Sequence, residues 1–206
     1  MKKQTIITIA RQYGSGGREI GKRLATELGI SFYDRELLTE ASKKYNIDME
    51  RMEEVDERPG DRYLYFNPIT SQNLQESFLS HSKYLTNDDV TQAQFCTILQ
   101  IAKTGESCVF IGRCADHVLK GWEGKLSLYI YADFDTRVQR VMERENLDER
   151  TAYKAVKKMD KIRANYYNYF TDMEWGDIDN YDMCLNVSKL GIDQAVSVIK
   201  NYIQGV

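Results

Sequence analysis

Apolar residues along the chain fall into two alternating patterns. Short, nearly unbroken runs at Thr5–Ala10, Ile30–Tyr33, Cys108–Ile111, Leu126–Tyr131 and Met183–Val187 read as buried strands, because a strand covered on both faces has no polar side to show. Between them, apolar positions recur every three or four residues. Ile20, Leu24 and Leu28 predict a helix from Gly17 to Leu28, with Gly29 as its stop. Val138, Val141 and Met142 predict another over Arg137–Glu145, and a long helix follows over Glu149–Phe170. Phe95, Ile98, Leu99 and Ala102 mark a helix before the third run, and Ile192–Ile203 is the last one. Asp34 is placed to cap the helix after the second run. Strands alternating with helices predict an α/β fold with a parallel sheet covered on both faces.

The alternation breaks between residues 46 and 90. Asp48 to Asp61 carries seven carboxylates and two arginines and ends in Pro59-Gly60, and Leu74, Phe78 and Leu79 indicate a short helix beyond it. This stretch reads as an insertion of small helices and loops over one edge of the sheet. In open parallel sheets ligands bind beyond the carboxyl ends of the strands. Three stretches meet there: Tyr13–Glu19 after the first strand, Asp34-Arg35 after the second and Gly112–Asp116 after the third.

Composition narrows the classes of function. A chain of 206 residues with 42% apolar and 29% charged residues suits one domain with a packed core. A net charge of −3 argues against a nucleic-acid binder that works by broad phosphate neutralisation. No apolar stretch approaches the ~20 residues of a membrane span. Lys2 and Lys3 precede only a short apolar run that ends in Arg11, so the start reads as a strand rather than a signal peptide. Cys96, Cys108, Cys114 and Cys184 are scattered and form no C-x-x-C pair, which fits reduced thiols and a cytoplasmic location. His81 and His117 are too few and too far apart for a zinc site.

The candidate chemistry lies in "RQYGSGGRE", Arg11–Glu19. Gly14, Gly16 and Gly17 permit positive φ, so backbone N–H groups can converge, and the start of a helix adds its dipole. Such a cradle binds an anion with few side chains, while the bland alternative is a tight turn without a ligand. The lysine of the pattern G-x-x-x-x-G-K-[ST] is missing. From Arg150 to Arg163 the long helix carries six basic residues and one acid, Asp160. Lys154, Lys158 and Lys161 share a face, which is either solvated or part of a lid that closes on phosphates. Arg113, just past a strand, can grip a phosphate or carboxylate, or sit in a surface ion pair. Tyr166, Tyr167, Tyr169, Phe170 and Trp175 fit packing at the end of that helix better than base stacking.

Taken in order, "ITIARQYGSGG", "FYDRELL", "VFIGRCAD", "KKMDKIRANYY" and "YDMCLNVSKLGIDQAV" resemble the cytidylate kinase-like branch of the P-loop nucleoside monophosphate kinases, nearly end to end. The resemblance implies a three-layer αβα sandwich on a five-stranded parallel sheet of order 2-3-1-4-5. It implies one domain over residues 1–206, with a helical acceptor-binding insertion over about 35–90 and a lid over about 147–172. It implies ATP and Mg²⁺ as cofactors, and transfer of the γ-phosphoryl group to a nucleoside monophosphate such as CMP or dCMP. Gly14, Ser15, Gly16, Gly17, Arg18 and Glu19 would hold the triphosphate; Asp34, Arg35, Arg113, Asp116 and Asp160 would hold the acceptor. Arg18, Lys158, Lys161 and Arg163 would supply catalytic cations, and Glu19 would approach the metal.

The sequence departs from that pattern at the points that matter for turnover. Gly17 stands where the lysine belongs, Arg18 is one residue late, Glu19 stands near the metal-binding hydroxyl, and Cys114 replaces the Asp after Gly-Arg. Two rivals therefore stand beside the kinase. One is a non-catalytic nucleotide binder on the same fold. The other is a kinase of a non-nucleotide small molecule, suggested by the acidic stretch Asp48–Asp61.

Overall fold

The computed structural model describes residues 4–57 and 86–205. The expected short helix near Leu74–Leu79, the Pro59-Gly60 turn and His81 lie outside the described residues. In chain order the described elements are β1 (Ile6–Arg11), α1 (Gly17–Leu28), β2 (Ser31–Tyr33), α2 (Arg35–Tyr45), α3 (Met49–Val55), α4 (Asn87–Lys103), β3 (Cys108–Ile111), α5 (Ala115–Val118), β4 (Lys125–Tyr131), α6 (Phe134–Glu145), α7 (Glu149–Thr171), a 3₁₀ turn (Ile178–Asn180), β5 (Met183–Asn186) and α8 (Val187–Gln204).

The five strands form one parallel sheet in the order β2-β3-β1-β4-β5. β1 is the centre strand, and its side chains alternate between two helical layers. Ile7 and Ile9 pack with Ile20 and Leu24 of α1 and Val196 and Ile199 of α8. Ile6 turns the other way, toward Leu37 of α2, Ile98 of α4 and Phe110 of β3. Each fully buried aliphatic side chain of this kind contributes about 1.5–3 kcal/mol of transfer free energy, which is why the apolar runs locate the strands so well. Registers of Ile9 with Ile111 and of Arg11 with Ile130 bring the carboxyl ends of β3, β1 and β4 side by side. The chain crosses from β1 to one side of the sheet and later to the other, so a crevice opens beyond Arg11.

Three local readings are corrected. Asp34 occupies the N-cap position of α2 but accepts no helix N–H; its carboxylate binds Arg18 and Arg113 instead, since two charged donors outcompete one amide. α6 begins at Phe134, three residues earlier than expected, and Phe134 extends the apolar face by packing with Val138 and Val141. α8 begins at Val187 and breaks at Gly191, where φ is 75° and ψ 165°; periodicity starts only after that break. Among the described residues, no helix is long and apolar enough to cross a membrane.

Candidate active site

The glycine-rich turn is held from outside as well as by its own backbone. Gly14 and Gly16 have φ of 78° and 87°, values that L side chains rarely adopt. A Cβ on Gly14 would lie 2.7 Å from the Arg137 carbonyl, so α6 presses against the loop. Arg137, almost fully buried, donates from Nε to the Ala132 carbonyl at 3.1 Å and from Nη1 to the Tyr13 carbonyl at 3.3 Å. It also pairs with Asp160 of α7, whose other oxygen accepts the Tyr13 N–H at 2.8 Å. Arg140 donates to the Ser15 carbonyl at 3.0 Å, and the buried Ser15 hydroxyl donates to the Gln12 carbonyl at 2.8 Å. Gly16 is the N-cap of α1 and has no side chain with which to satisfy the first-turn amides. Those N–H groups and the positive end of α1 therefore face a cleft of about 660 Å³.

That cleft is lined by Gly14, Gly16, Gly17, Arg18 and Glu19 from the loop, Lys22 from α1, Arg140 and Arg144 from α6, and Arg11 and Arg163. Arg18 is turned across the entrance, with Nε 2.5 Å from Asp34 and its side chain 60% exposed. Arg144 and Arg163 lie over the Tyr13 ring, at 4.9 and 5.5 Å from its centroid. Burial first, and then Glu145, raise the pKa of Tyr13, so its hydroxyl stays protonated.

A second, smaller cavity adjoins the first. Its lining includes Arg11, Glu57, Gly112, Arg113, Asp116, Arg163 and Tyr166. Gly112, Arg113 and Cys114 have φ of 67°, 55° and 53°, a left-handed run that costs about 1–2 kcal/mol at each non-glycine residue. The run aims Arg113 inward, where it is 3% exposed. Its Nε and Nη2 grip both Asp56 oxygens at 2.7 and 2.8 Å, and Nη1 reaches Asp34 at 3.5 Å. Burial alone would favour a neutral Arg113, but Asp56, Glu57 and Asp34 outweigh it and hold the guanidinium charged. Glu57 pairs with Arg11 and with Arg163 Nε at 3.0 Å. Burial would raise the pKa of its carboxyl; Arg11, Arg163 and Arg113 instead hold it well below the ordinary glutamate value. Asp116 accepts the Tyr167 hydroxyl at 2.7 Å, and burial pushes its carboxyl up.

The structure thus brings the glycine loop, Arg18, Asp34, Arg113 and Arg163 to one crevice, with Asp116 at its far end. Arg35 lies outside both cavities and pairs with Glu53 at 2.5 Å. Asp160 is committed to Tyr13 and Arg137. Lys158 and Lys161 lie on the exposed side of α7. Tyr166, Tyr167 and Phe170 pack in a buried cluster with Phe95 and Cys114. Sequence reading passed over Arg137, Arg140 and Arg144, although their three- and four-residue spacing puts them on one face of α6. It also passed over Asp56 and Glu57 as individuals, since nothing local separates them from the other acids of that run.

A parallel sheet of this order, with a glycine loop opening into α1 and cations gathered at the carboxyl ends, defines a P-loop kinase fold. The model of the cytidylate kinase-like family matches residues 6–189, and the chain belongs to that family. A cytidylate kinase from Methanopyrus kandleri is 21% identical over 196 residues, covering 95% of this chain and 91% of that protein. One from Pyrobaculum aerophilum is also 21% identical, covering 96% and 91%. Among solved structures, an uncharacterized protein from Eubacterium ventriosum is 33% identical with a TM-score of 0.74, covering 98% of this chain and all of that one. A shikimate kinase from Bacteroides thetaiotaomicron shares the fold at a TM-score of 0.53 and 12% identity, over 97% and 98% of the two chains. Family and fold together support a nucleotide or small-molecule kinase.

Proposed function

We propose that the protein transfers the γ-phosphoryl group of ATP to a nucleoside monophosphate such as CMP or dCMP. The observation that carries this reading is the convergence of Arg11, Arg113 and Arg163 on buried carboxylates, one step from the glycine loop. A site that holds carboxylates among guanidiniums offers the same recognition to phosphates. The backbone amides from Gly16 to Glu19 would cradle the triphosphate, the Ser15 N–H being held by the Gln12 carbonyl, and Arg18 and Arg140 would flank it. Arg113 would grip the acceptor phosphate, with Asp34 and Asp116 fixing the rest of the acceptor. Residues 35–90 serve as the acceptor-binding insertion and 147–172 as a lid, whose Lys158 and Lys161 reach the cleft on closure. An acceptor phosphate oxygen forms the new P–O bond while the bond to the β–γ bridging oxygen breaks; the electron pair stays on ADP and no proton moves.

The residues present fit a magnesium ion carried mainly by phosphate oxygens and water. Among the described residues no three His, Cys, Asp or Glu side chains form a cage; the cleft lining offers the carboxylates of Glu19, at the loop's end, and Glu143 of α6. When bound, Mg²⁺ would neutralise charge on the β- and γ-phosphates.

The test is an ADP-release assay with ATP, Mg²⁺ and a panel of CMP, dCMP, UMP, AMP, GMP and shikimate. Turnover with a pyrimidine monophosphate supports the reading, and ATP binding without turnover on any acceptor leaves a nucleotide binder. A second reading has its own observation: Asp34, Asp56 and Glu57 crowd the acceptor side with negative charge, which suits a hydroxylated small molecule better than a phosphate. Turnover with shikimate alone in the panel would favour that reading.

A further inference from the structure

We infer that Arg11, the last residue of β1, takes the place of the missing loop lysine and is the catalytic cation at the transferring phosphoryl group. The inference rests on the kinase reading and adds to it the residue that stabilises the moving charge. Gly17 is the starting point. It stands at the lysine position, and its φ is not one that requires glycine. The requirement is spatial: a Cβ there would lie 2.6 Å from Arg11 Cβ, 3.2 Å from Arg11 Cγ and 3.3 Å from Ile130 Cβ. Real Cβ atoms do not approach so closely. Gly112, at the end of β3, has a φ of 67° that favours glycine in any case, and a Cβ there would lie 2.0 Å from Arg11 Nη1 and 2.3 Å from Glu57 Oε1. Two glycines therefore flank Arg11, Gly17 against the root of its side chain and Gly112 against its head. Where the lysine would stand, the backbone packs directly against Arg11.

Arg11 lies at the place where a phosphoryl group must cross. Among the described residues, Arg11 and Arg163 are the two that line both the triphosphate cleft and the smaller cavity beside Arg113. Arg163 is fixed there by a 3.2 Å bond from Nη1 to the Arg11 carbonyl. Between the two guanidiniums sits the Glu57 carboxylate, which marks the spot as one that holds an anion. In the structure Glu57 keeps both heads in position; as phosphates bind, their oxygens share those donors. Arg18 is poorly suited to the task, because its Nε is spent on Asp34 and its side chain is largely in solvent. The chemistry asks for a permanent positive charge beside the oxygens of the γ-phosphoryl group while its bond to the bridging oxygen lengthens, and an arginine supplies that charge at every working pH.

The experiment compares ATPγS with ADP, by calorimetry with Mg²⁺ and no acceptor, in four proteins: the parent, Arg11→Gln, Gly17→Lys and the double variant Arg11→Gly/Gly17→Lys. Folding of each is verified by circular dichroism and thermal melting. A γ-phosphate ligand lost at Arg11→Gln weakens ATPγS by about tenfold or more and leaves ADP within about threefold, as expected for one charge-assisted contact. Gly17→Lys alone clashes with Arg11 and weakens both nucleotides. In the double variant the Cβ and Cγ of residue 11 are gone, only Ile130 Cβ at 3.3 Å remains near the new side chain, and preference for ATPγS returns. Where an acceptor is turned over, kcat falls roughly 100-fold in Arg11→Gln and recovers at least in part in the double variant. An Arg11→Gln protein that keeps its preference for ATPγS overturns the inference while leaving the kinase reading intact. Equal loss of both nucleotides also overturns it, by making Arg11 a strut of the loop. A double variant that stays without preference refutes the exchange of lysine for arginine. A parent protein that binds neither nucleotide removes the kinase reading itself.

Discussion

Replacing Arg137 by methionine should loosen the glycine-rich loop. The native guanidinium is 6% exposed and makes three contacts, to the Ala132 carbonyl, the Tyr13 carbonyl and Asp160. Methionine fills much of the same volume, so the cost is electrostatic rather than a cavity. Removing one partner of a buried ion pair costs about 3–5 kcal/mol. Asp160 is 19% exposed and keeps the Tyr13 N–H, so the lower end applies, about 3 kcal/mol. Changing Asp160 to asparagine in the same protein removes the stranded charge yet still offers an oxygen to the Tyr13 amide. The double variant Arg137→Met/Asp160→Asn should then cost only about 1–2 kcal/mol, the share of the two carbonyls left without a donor. Urea unfolding followed by circular dichroism, with m compared among the proteins, measures each value. A single variant that loses less than about 1 kcal/mol, or a double variant less stable than the single, would refute the argument that this pair straps α7 and α6 to the loop.

Three further outcomes are expected. Glu57 has a carboxyl pKa depressed from 4.5, so its contribution to stability is complete above that value and fades as pH falls through it toward the lower folded value; Glu57→Gln should flatten the acid side of a stability–pH curve below about pH 4.5, and an unchanged slope would mean the three arginines do not act on this group. Arg113→Lys should raise the acceptor KM strongly and rescue Arg113→Ala poorly, because lysine lacks the fork that now holds both Asp56 oxygens; full rescue in steady-state kinetics would reject bidentate gripping. Lys158→Ala/Lys161→Ala should lower kcat more than it changes acceptor KM if the lid closes on phosphates, and unchanged kinetics would return those exposed lysines to solvent.

What the sequence determined by itself was the frame. Apolar runs and helical periods located the five strands and most helices, since burial on both faces of a parallel sheet leaves a signature in every residue of a strand. The glycine spacing located the loop for a similarly local reason: φ near 80° at Gly14 and Gly16 is a property of the residue itself. The destinations of the long charged side chains were not local and so were not legible. Arg18 and Arg11 flank the same loop, and only the fold sends one to Asp34 at the rim and the other between Gly17 and Gly112. Seven carboxylates between Asp48 and Asp61 look alike in the chain; among the described ones, packing selects Asp56 and Glu57 because α3 ends where Arg113 and Arg163 arrive from distant segments. A guanidinium can reach several anions around its backbone, and tertiary structure chooses among them by which is buried, paired and near enough. For the same reason a glycine at the lysine position reads as a loss in the sequence and as close packing against Arg11 in three dimensions.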